Sequence, residues 1–397
     1  MLDFSKLLDQ IEQVGIDSLK EENDRPVLET ALGVFDDASM SSQAFADSMT
    51  VNAPYVLWPV AGLVTPFESA SFSDIEGGIA DYSVVAVDGS QIMPSHHEVH
   101  NCYLLNVGSA LITYGKAALP ELISSPRLFH RPEDLYPLVD RRRIHIDELY
   151  VSLERTVFEL EVLAQKAIFA RERKLPVIAL YDGSLIPWSL DKMSEGYQES
   201  FVSRIENPIK RLKQERIPLI GYVSHSRSSD VVNMLRTYIC PYEISDCNQH
   251  CGHLNEENFP CSTLWPLTDR TLFGSRLKEF QASSVFLSNT KTASLVDRDC
   301  QTCFLYGNFK SEVARLEMPF WLTEDSDLMR LALACVRSQV EKGRGYPVSL
   351  AEAHHLAVIK GPDRDRFFEL MTRHLVGLGA GRVSLSPKER NKRLGFV

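Results

Sequence analysis

Two short apolar runs along the chain each end in the same polar triplet. Residues 84–91 have the sequence VVAVDGSQ and residues 177–185 have the sequence VIALYDGSL, so Asp-Gly-Ser follows an aliphatic run twice. A short apolar run that stops at a turn signal predicts a buried strand. Glycine after aspartate allows the chain to turn sharply where such a strand ends. We therefore predict two buried strands that end at Asp88 and Asp182.

The remaining apolar pattern predicts several helices and further strands. The clearest helix covers 147–173, where apolar residues recur every 3.6 residues and a second apolar side is also present. Such a helix is buried between layers or packs on a second subunit. Other helices are predicted at about 4–49, 196–215, 324–341, 349–360 and 363–377, strands at about 100–115 (one or two), 217–224, 302–309 and 311–322, and a loop before Asp147. The order of elements predicts an α/β fold with a sheet of mixed strand direction.

The two aspartates suggest a metal site. Asp88 and Asp182 at the ends of neighbouring strands would place two carboxylates at one sheet edge, and divalent cations prefer rigidly held oxygen ligands. This arrangement is the framework of a two-metal nuclease, in which paired cations assist in-line hydrolysis of a phosphodiester. Asp-Gly is also a common turn dipeptide, so a purely structural role stays open.

The long helix and a late helix offer further ligands. An acid on the helix at 147–173 could reach the metal, and the candidates are Glu154, Glu159 and Glu161. Any of them could instead be a solvated surface charge. In the late segment YPVSLAEAHHLAVI, Ser349 and Glu352 have the spacing of a capping box.

His354 and His355 follow in the same segment and could contact a phosphate, act as a general acid or bind metal. Either histidine could equally be packed on its helical neighbours. The spacing alone does not choose between these roles.

A cysteine cluster forms a second candidate metal site. Cys240, Cys247, Cys251 and Cys261 fall within a turn-rich stretch that also contains His250 and His253. Four thiols so close in sequence could bind a structural Zn²⁺ or an iron–sulfur cluster, although their spacing does not match the common CxxC pairs. Reduced and unlinked cysteines are the alternative.

Composition and charge exclude several classes of protein. The formal net charge is −11 at pH 7, which weighs against a protein that coats nucleic acid without specificity. The sequence has no run of eighteen apolar residues and no signal-peptide pattern at its N-terminus, so we expect a cytoplasmic protein that does not span a membrane. It also has no GxxxxGK[ST] motif, so a P-loop ATPase is excluded.

Five segments in order give the chain a resemblance to a known family. VVAVDGSQ, LYDGSLI, GYVSHSRSSDVVNMLR, EVARLEMPFWL and GYPVSLAEAHHLAVI resemble the NurA nucleases, which process DNA ends with the HerA translocase. The resemblance covers about residues 80–375. It implies an RNase H-like core with a mixed central sheet flanked by helices, and helical additions at both termini.

The resemblance also implies an activity and its partners. It implies a deoxyribonuclease that depends on Mn²⁺ or Mg²⁺, with two ions, and that acts in DNA end resection and double-strand break repair. The expected partners are DNA, a second copy of the chain in a homodimer, and a hexameric HerA-type ATPase.

The resemblance implies that the acidic metal ligands of the family correspond to Asp88 and Asp182 in this sequence. The helix acid carries over onto Glu159, with Glu161 as the alternative, because Arg155 precedes Glu159 by four residues as in the family. The late histidine carries over onto His354.

The sequence therefore predicts three regions and one leading function. The regions are an N-terminal helical and extended region at 1–80, a NurA-type nuclease domain at 81–378 with a cysteine-rich insertion at about 240–269, and a basic tail at 379–397. Two alternatives to a nuclease stay open: a catalytically idle RNase H-like scaffold that recruits an ATPase, and a metal-dependent phosphatase. The sequence lacks a DxDx[TV] strand, which weighs against the phosphatase.

Overall fold

A computed structural model describes most of the chain. The described residues are 4–8, 10–12, 14, 25–64, 73–94, 101–116, 118–139 and 141–378. The predicted basic tail at 379–397 lies outside them. By their contacts, the residues divide into a first unit (1–75, 223–290 and 303–316) and a second unit (76–222, 291–302 and 317–397). The predicted domain boundaries near residues 80 and 378 stay a prediction.

Strands and helices are numbered here in chain order. The strands are β1 Ala61–Leu63, β2 Ser73–Asp74, β3 Tyr82–Ile92, β4 Tyr103–Tyr114, β5 Glu121–Phe129, β6 Leu138–Val139, β7 Arg142–Arg143, β8 Val177–Asp182, β9 Leu219–Val223, β10 Gln281–Ala282, β11 Phe286–Ser288, β12 Thr302–Asn308 and β13 Val313–Pro319. The α-helices are α1 Arg25–Met40, α2 Ser42–Asn52, α3 Pro132–Leu135, α4 Glu148–Ala170, α5 Glu195–Gln214, α6 Asp230–Tyr238, α7 Cys247–Cys251, α8 Asp269–Gly274, α9 Phe320–Thr323, α10 Ser326–Lys342, α11 Val348–Ala357 and α12 Gly361–Gly377.

The second unit is built on a mixed sheet in the order β9-β8-β3-β4-β5. Strands β3, β4 and β5 form an antiparallel meander, while β8 and β9 run parallel to β3. Helix α4 connects β5 to β8, and α5 connects β8 to β9, as parallel crossovers require. Helices α4 and α11 both pack on β3 and β4. The predicted α/β class and RNase H-like core, with a mixed sheet flanked by helices, are confirmed.

The first unit has its own apolar core. Helices α1, α2, α6 and α8 contribute to this core together with the antiparallel strands β1, β11 and β12. Phe35, Phe273 and Phe286 are buried there, and the ring of Phe273 contacts Phe35 edge-on and Phe286 at a tilt. A core of this kind stabilises the unit through the burial of apolar surface.

Several element predictions were wrong in detail. The strand expected to end at Asp88 continues to Ile92, because β4 pairs with β3 along its whole length. The expected loop before Asp147 contains β5, which was missed because its exposed side chains do not alternate. Helix α11 begins at Val348 after Pro347, so Ser349 is a buried residue of its first turn and not its cap.

The structure also bears on membrane spans and on disulfide bonds. Within the described ranges, no helix has the length and apolarity that a membrane span requires. All eight cysteines are described, and none of them is in a disulfide.

Candidate active site

Three of the predicted site residues meet on the sheet of the second unit. One ligand atom from each of Asp88, Asp182 and His354 lies within 4.8 Å of the others. Nδ1 of His354 is 2.7 Å from Oδ2 of Asp88. The two aspartates are neighbours because β3 and β8 pair in parallel, with Val87 opposite Tyr181. Asp88 and Asp182, the next residue on each strand, therefore lie side by side in the sheet.

Gly108 brings α11 and its histidine onto this part of the sheet. Gly108 pairs with Asp88 across the antiparallel β3–β4 ladder, so positions 88 and 108 share one face. A Cβ atom on Gly108 would lie 2.2 Å from the carbonyl oxygen of Ala353 and 2.5 Å from the amide nitrogen of Ala357. The absence of a side chain at residue 108 thus allows the helix backbone to lie directly on the strand, which places His354 beside Asp88.

Glu159 approaches from the other face of the sheet. Side chains alternate along a strand, so Gly89 faces away from α11 and towards α4. A Cβ atom on Gly89 would lie 2.1 Å from Oε1 of Glu159, so this glycine makes room for the carboxylate. The sharp turn predicted after Asp88 is not formed. By contrast, Gly183 has φ +114° and does turn the chain after Asp182.

Two groups hold the buried carboxylate of Glu159 in place. The hydroxyl of Tyr181 donates to Oε2 over 2.5 Å. Nε of Arg155 lies 3.2 Å from Oε1, without the angle of a hydrogen bond, so this pairing is electrostatic. Burial raises the pKa of Glu159 to about 7, and the charges of Asp88 and Asp182 act in the same direction.

Tyr346 is a site residue that the sequence analysis did not single out. Its hydroxyl donates to Oδ1 of Asp182 over 2.8 Å, and its ring packs edge-on against Tyr222. Burial raises the pKa of Asp182, the Tyr346 hydrogen bond opposes this rise, and Asp88 adds to it. The sequence feature that could have identified Tyr346 is its position in the segment that also contains His354.

Glu317 was also missed, and it fixes the turn after Asp182. This buried carboxylate accepts hydrogen bonds from Oγ of Ser184 over 2.8 Å and from the amide of Leu185 over 2.7 Å. It therefore orders the second Asp-Gly-Ser triplet. No signal in the sequence paired residue 317 with that triplet.

The other helix acids are placed differently. Glu154 is buried and forms two hydrogen bonds with Arg204, of 2.6 and 2.7 Å. Glu161, the alternative to Glu159, is exposed. The carboxylate of Glu159 lies near both aspartates, because the charges of Asp88 and Asp182 contribute to the rise in its pKa.

The donor set suits a divalent cation such as Mn²⁺ or Mg²⁺. Hard cations prefer carboxylate oxygens, and an imidazole nitrogen is a common additional ligand for transition metals. A cation bound between Asp88 and Asp182 would relieve their mutual repulsion and their repulsion of the nearby Glu159 carboxylate. Asp88 and Asp182 could bind it directly, with His354 either as a third ligand or as the hydrogen-bond partner of Asp88, and with Glu159 adjacent.

The predicted cysteine site lies in the first unit. Cys247, Cys251 and Cys261 are buried, and Cys240 is partly buried. Cys251 and Cys261 pack in one small cluster with Phe259. Among the described histidines of this stretch, the ring of His250 stacks on Tyr242, and His253 is exposed.

Comparison with known proteins identifies the family. Residues 82–359 match the model of the NurA domain, and the chain belongs to the NurA family. The structure of the NurA nuclease from Sulfolobus solfataricus is similar over 77% of this chain and 88% of that chain, with 12% sequence identity and a TM-score of 0.46. The catalytic domain of human Endonuclease V is similar over 73% of this chain and 83% of that chain, with 10% identity and a TM-score of 0.30. No curated protein matched the sequence significantly.

Proposed function

We propose that this chain is a divalent-metal-dependent deoxyribonuclease that hydrolyses phosphodiester bonds of DNA. The observation that carries the proposal is the convergence of Asp88, Asp182 and His354 within 4.8 Å, inside the matched NurA domain. Two carboxylates at this spacing, with an imidazole beside them, could bind a cation that engages a phosphate.

The residues of the site have distinct roles in this proposal. A bound divalent cation would polarise the phosphate and lower the pKa of a water. Asp88 and Asp182 would bind the cation, and Glu159 would complete its oxygen ligands. His354 holds Asp88 through Nδ1, and its half-exposed ring leaves Nε2 to contact a phosphate or deliver a proton to the leaving oxygen. Tyr346 and Glu317 orient Asp182 and the turn that follows it.

Family membership also supports a proposal for the wider role and the partners. We infer that the chain acts in DNA end resection during double-strand break repair, with a hexameric HerA-type ATPase. A homodimer is supported by β5, which has no second neighbour among the described strands and exposes Leu122, Ile123 and Leu128. A cytoplasmic location stays a prediction.

One assay tests the activity directly. End-labelled single- and double-stranded DNA is incubated with the chain and Mn²⁺, Mg²⁺ or a chelator, with and without a HerA-type ATPase. We expect cleavage that the chelator abolishes, and a loss of at least roughly 10³-fold in Asp88→Asn, since a bound metal contributes several kcal/mol to catalysis.

The matched control is Asp191→Asn, which changes an exposed aspartate of the same unit. Cleavage by Asp88→Asn at the wild-type rate with Mn²⁺ contradicts the assignment. No cleavage under any condition, with the ATPase bound, favours an idle scaffold. Hydrolysis of small phosphomonoesters alone favours a phosphatase.

A further inference from the structure

The first unit brings four cysteines from separate turns to one place. Cys240 follows the end of α6, Cys247 and Cys251 are the first and last residues of α7, and Cys261 precedes a short 3-10 turn. Residues four apart in a helix lie on the same side, so the two α7 thiols share one face. The nuclease site uses none of these residues.

Cys251 and Cys261 pack in one cluster with Phe259, and electrostatic interactions link these two cysteines with Cys240 and Cys247. Burial raises the pKa of Cys247, and charge on Cys261, Cys251 or Cys240 raises it further. Cys240 likewise acts on Cys251 and on Cys261. Four cysteine sulfurs gathered in this way form a natural site for a metal group that binds thiolates.

Two buried N–H groups of side chains next to the cysteines have no hydrogen-bond partner in the described part of the chain. They are Nε1 of Trp58 and Nε of Arg236. Buried donors without an acceptor are rare and costly, and an additional bound group is one of their explanations.

Arg236 is well placed to serve such a group. Its guanidinium lies 3.8 Å above the ring of Trp58, and it counteracts the rise in the pKa of Cys261. Trp58 also packs against the cluster formed by Cys251, Phe259 and Cys261. Both side chains contact the cysteine cluster, since Arg236 also forms a hydrogen bond with Cys261, and a group that offers acceptors there would satisfy Nε of Arg236 and Nε1 of Trp58.

The arrangement of the sulfurs distinguishes between metals. Tetrahedral zinc with Zn–S bonds of about 2.3 Å holds its sulfurs roughly 3.8 Å apart. Within the described residues, no three of these four thiols come within 4.8 Å of one another as a group, whereas Asp88, Asp182 and His354 do. An iron–sulfur cluster is larger than a single ion, so it spaces its cysteine ligands more widely. Its sulfide atoms also accept N–H hydrogen bonds, which tune its properties.

We propose that Cys240, Cys247, Cys251 and Cys261 bind a four-iron, four-sulfide cluster that stabilises the first unit. The cluster would accept hydrogen bonds from Trp58 and Arg236, and the apolar walls formed by Phe259 and Ile239 would shield it from water. This site is separate from the nuclease centre, so the two proposals can fail independently.

Metal analysis of the full chain, purified without oxygen, tests this proposal. We expect about four iron and four acid-labile sulfide per chain, a broad visible absorption that fades on reduction, and an electron paramagnetic resonance signal of the reduced cluster. Stoichiometric zinc without iron overturns the proposal. So does a chain without metal that stays colourless after reconstitution with iron and sulfide.

Substitutions locate the cluster. Each of Cys240→Ala, Cys247→Ala, Cys251→Ala and Cys261→Ala is expected to lose at least half of the bound iron. Cys303→Ala, a buried cysteine of the same unit outside the four, is expected to retain it. Wild-type iron content in all four variants overturns the assignment. If a variant fails to fold, the iron and sulfide content of the wild-type chain still tests the proposal. Neither measurement depends on DNA cleavage.

Discussion

Gly89 leaves the space that the carboxylate of Glu159 occupies, since a Cβ atom at residue 89 would lie 2.1 Å from Oε1. The glycine of the first Asp-Gly-Ser triplet therefore allows a helix side chain to lie close to the strand, and it does not form a turn. The same triplet at residues 182–184 uses its glycine differently, because Gly183 adopts a positive φ. One sequence motif has two structural roles in this chain.

Gly89→Ala tests this close approach. The added methyl group would displace Glu159 and also press on Cγ of Arg155, 3.0 Å away. We expect a loss of stability of about 1–3 kcal/mol, as for overpacking elsewhere. We expect DNA cleavage to fall by roughly 10–100-fold, as when residues that orient metal ligands are lost. Thermal unfolding and the cleavage assay measure both effects.

Gly33→Ala is the control for this variant, because a Cβ atom there meets nothing within 4 Å inside a helix. It should be neutral or slightly stabilising. Equal behaviour of the two variants contradicts the packing argument.

Glu159→Gln tests the electrostatic cost of the buried carboxylate. The folded-state pKa is about 7 and the ordinary value is 4.5, so between these pH values the folded chain retains a proton that the unfolded chain has lost. The stability of the metal-free protein therefore falls as pH rises through this window. Glutamine cannot ionise, so the variant should lose this pH dependence and, in chelator, unfold at a higher temperature than wild type at pH 8. Its cleavage activity should be strongly reduced.

Glu161→Gln is the matched control for Glu159→Gln. Glu161 is exposed on the same helix, two residues further on. We expect it to unfold like wild type across the pH range and to cleave DNA normally. If the two variants exchange these properties, Glu161 is the helix ligand.

Substitution of the two adjacent histidines separates a site role from a packing role. Nδ1 of His354 lies 2.7 Å from Asp88, and the ring of His355 lies beyond it, with centroids 6.4 Å apart. We expect His354→Ala to reduce cleavage by about 10²–10⁴-fold, the range of general acid–base catalysis. His355→Ala should change it less than about threefold, in line with the small effects of most surface substitutions. A larger loss in His355→Ala would reverse the assignment.

Tyr346→Phe removes the hydroxyl that donates to Asp182 and retains the ring that packs on Tyr222. A group that orients a metal ligand typically affects metal affinity by about 10–100-fold when it is lost. We therefore expect the Mn²⁺ concentration for half-maximal cleavage to rise, while the rate at saturating Mn²⁺ changes less. Tyr197→Phe, at a partly buried tyrosine of α5, should leave both quantities unchanged. A fall in the saturated rate alone would indicate a direct catalytic role for Tyr346.

The sequence contained the fold class and the central pair of acids, because both depend on local patterns. The apolar runs before Asp88 and Asp182 predicted two buried strands, and β3 and β8 are adjacent. Strand β5 was not predictable in this way, because its residues are mostly exposed and it is held by its pairing with β4.

The partners of the acids depend on long-range contacts that local patterns do not encode. Tyr346 reaches Asp182 across 164 residues, and Glu317 reaches Ser184 across 133 residues. The burial of Glu159 beside Gly89 and the exposure of Glu161 likewise depend on packing between helix and strand, which no helical periodicity shows.

The most direct measurement of the central claim is an anomalous difference map from crystals of the chain soaked in Mn²⁺. The account predicts a peak in contact with carboxylate oxygens of both Asp88 and Asp182, at about the 2.0–2.2 Å typical of small divalent cations. The peak should be absent from crystals of Asp88→Asn. Manganese bound elsewhere with no density between these two aspartates, or a peak that persists in Asp88→Asn, would contradict the claim that they share a metal.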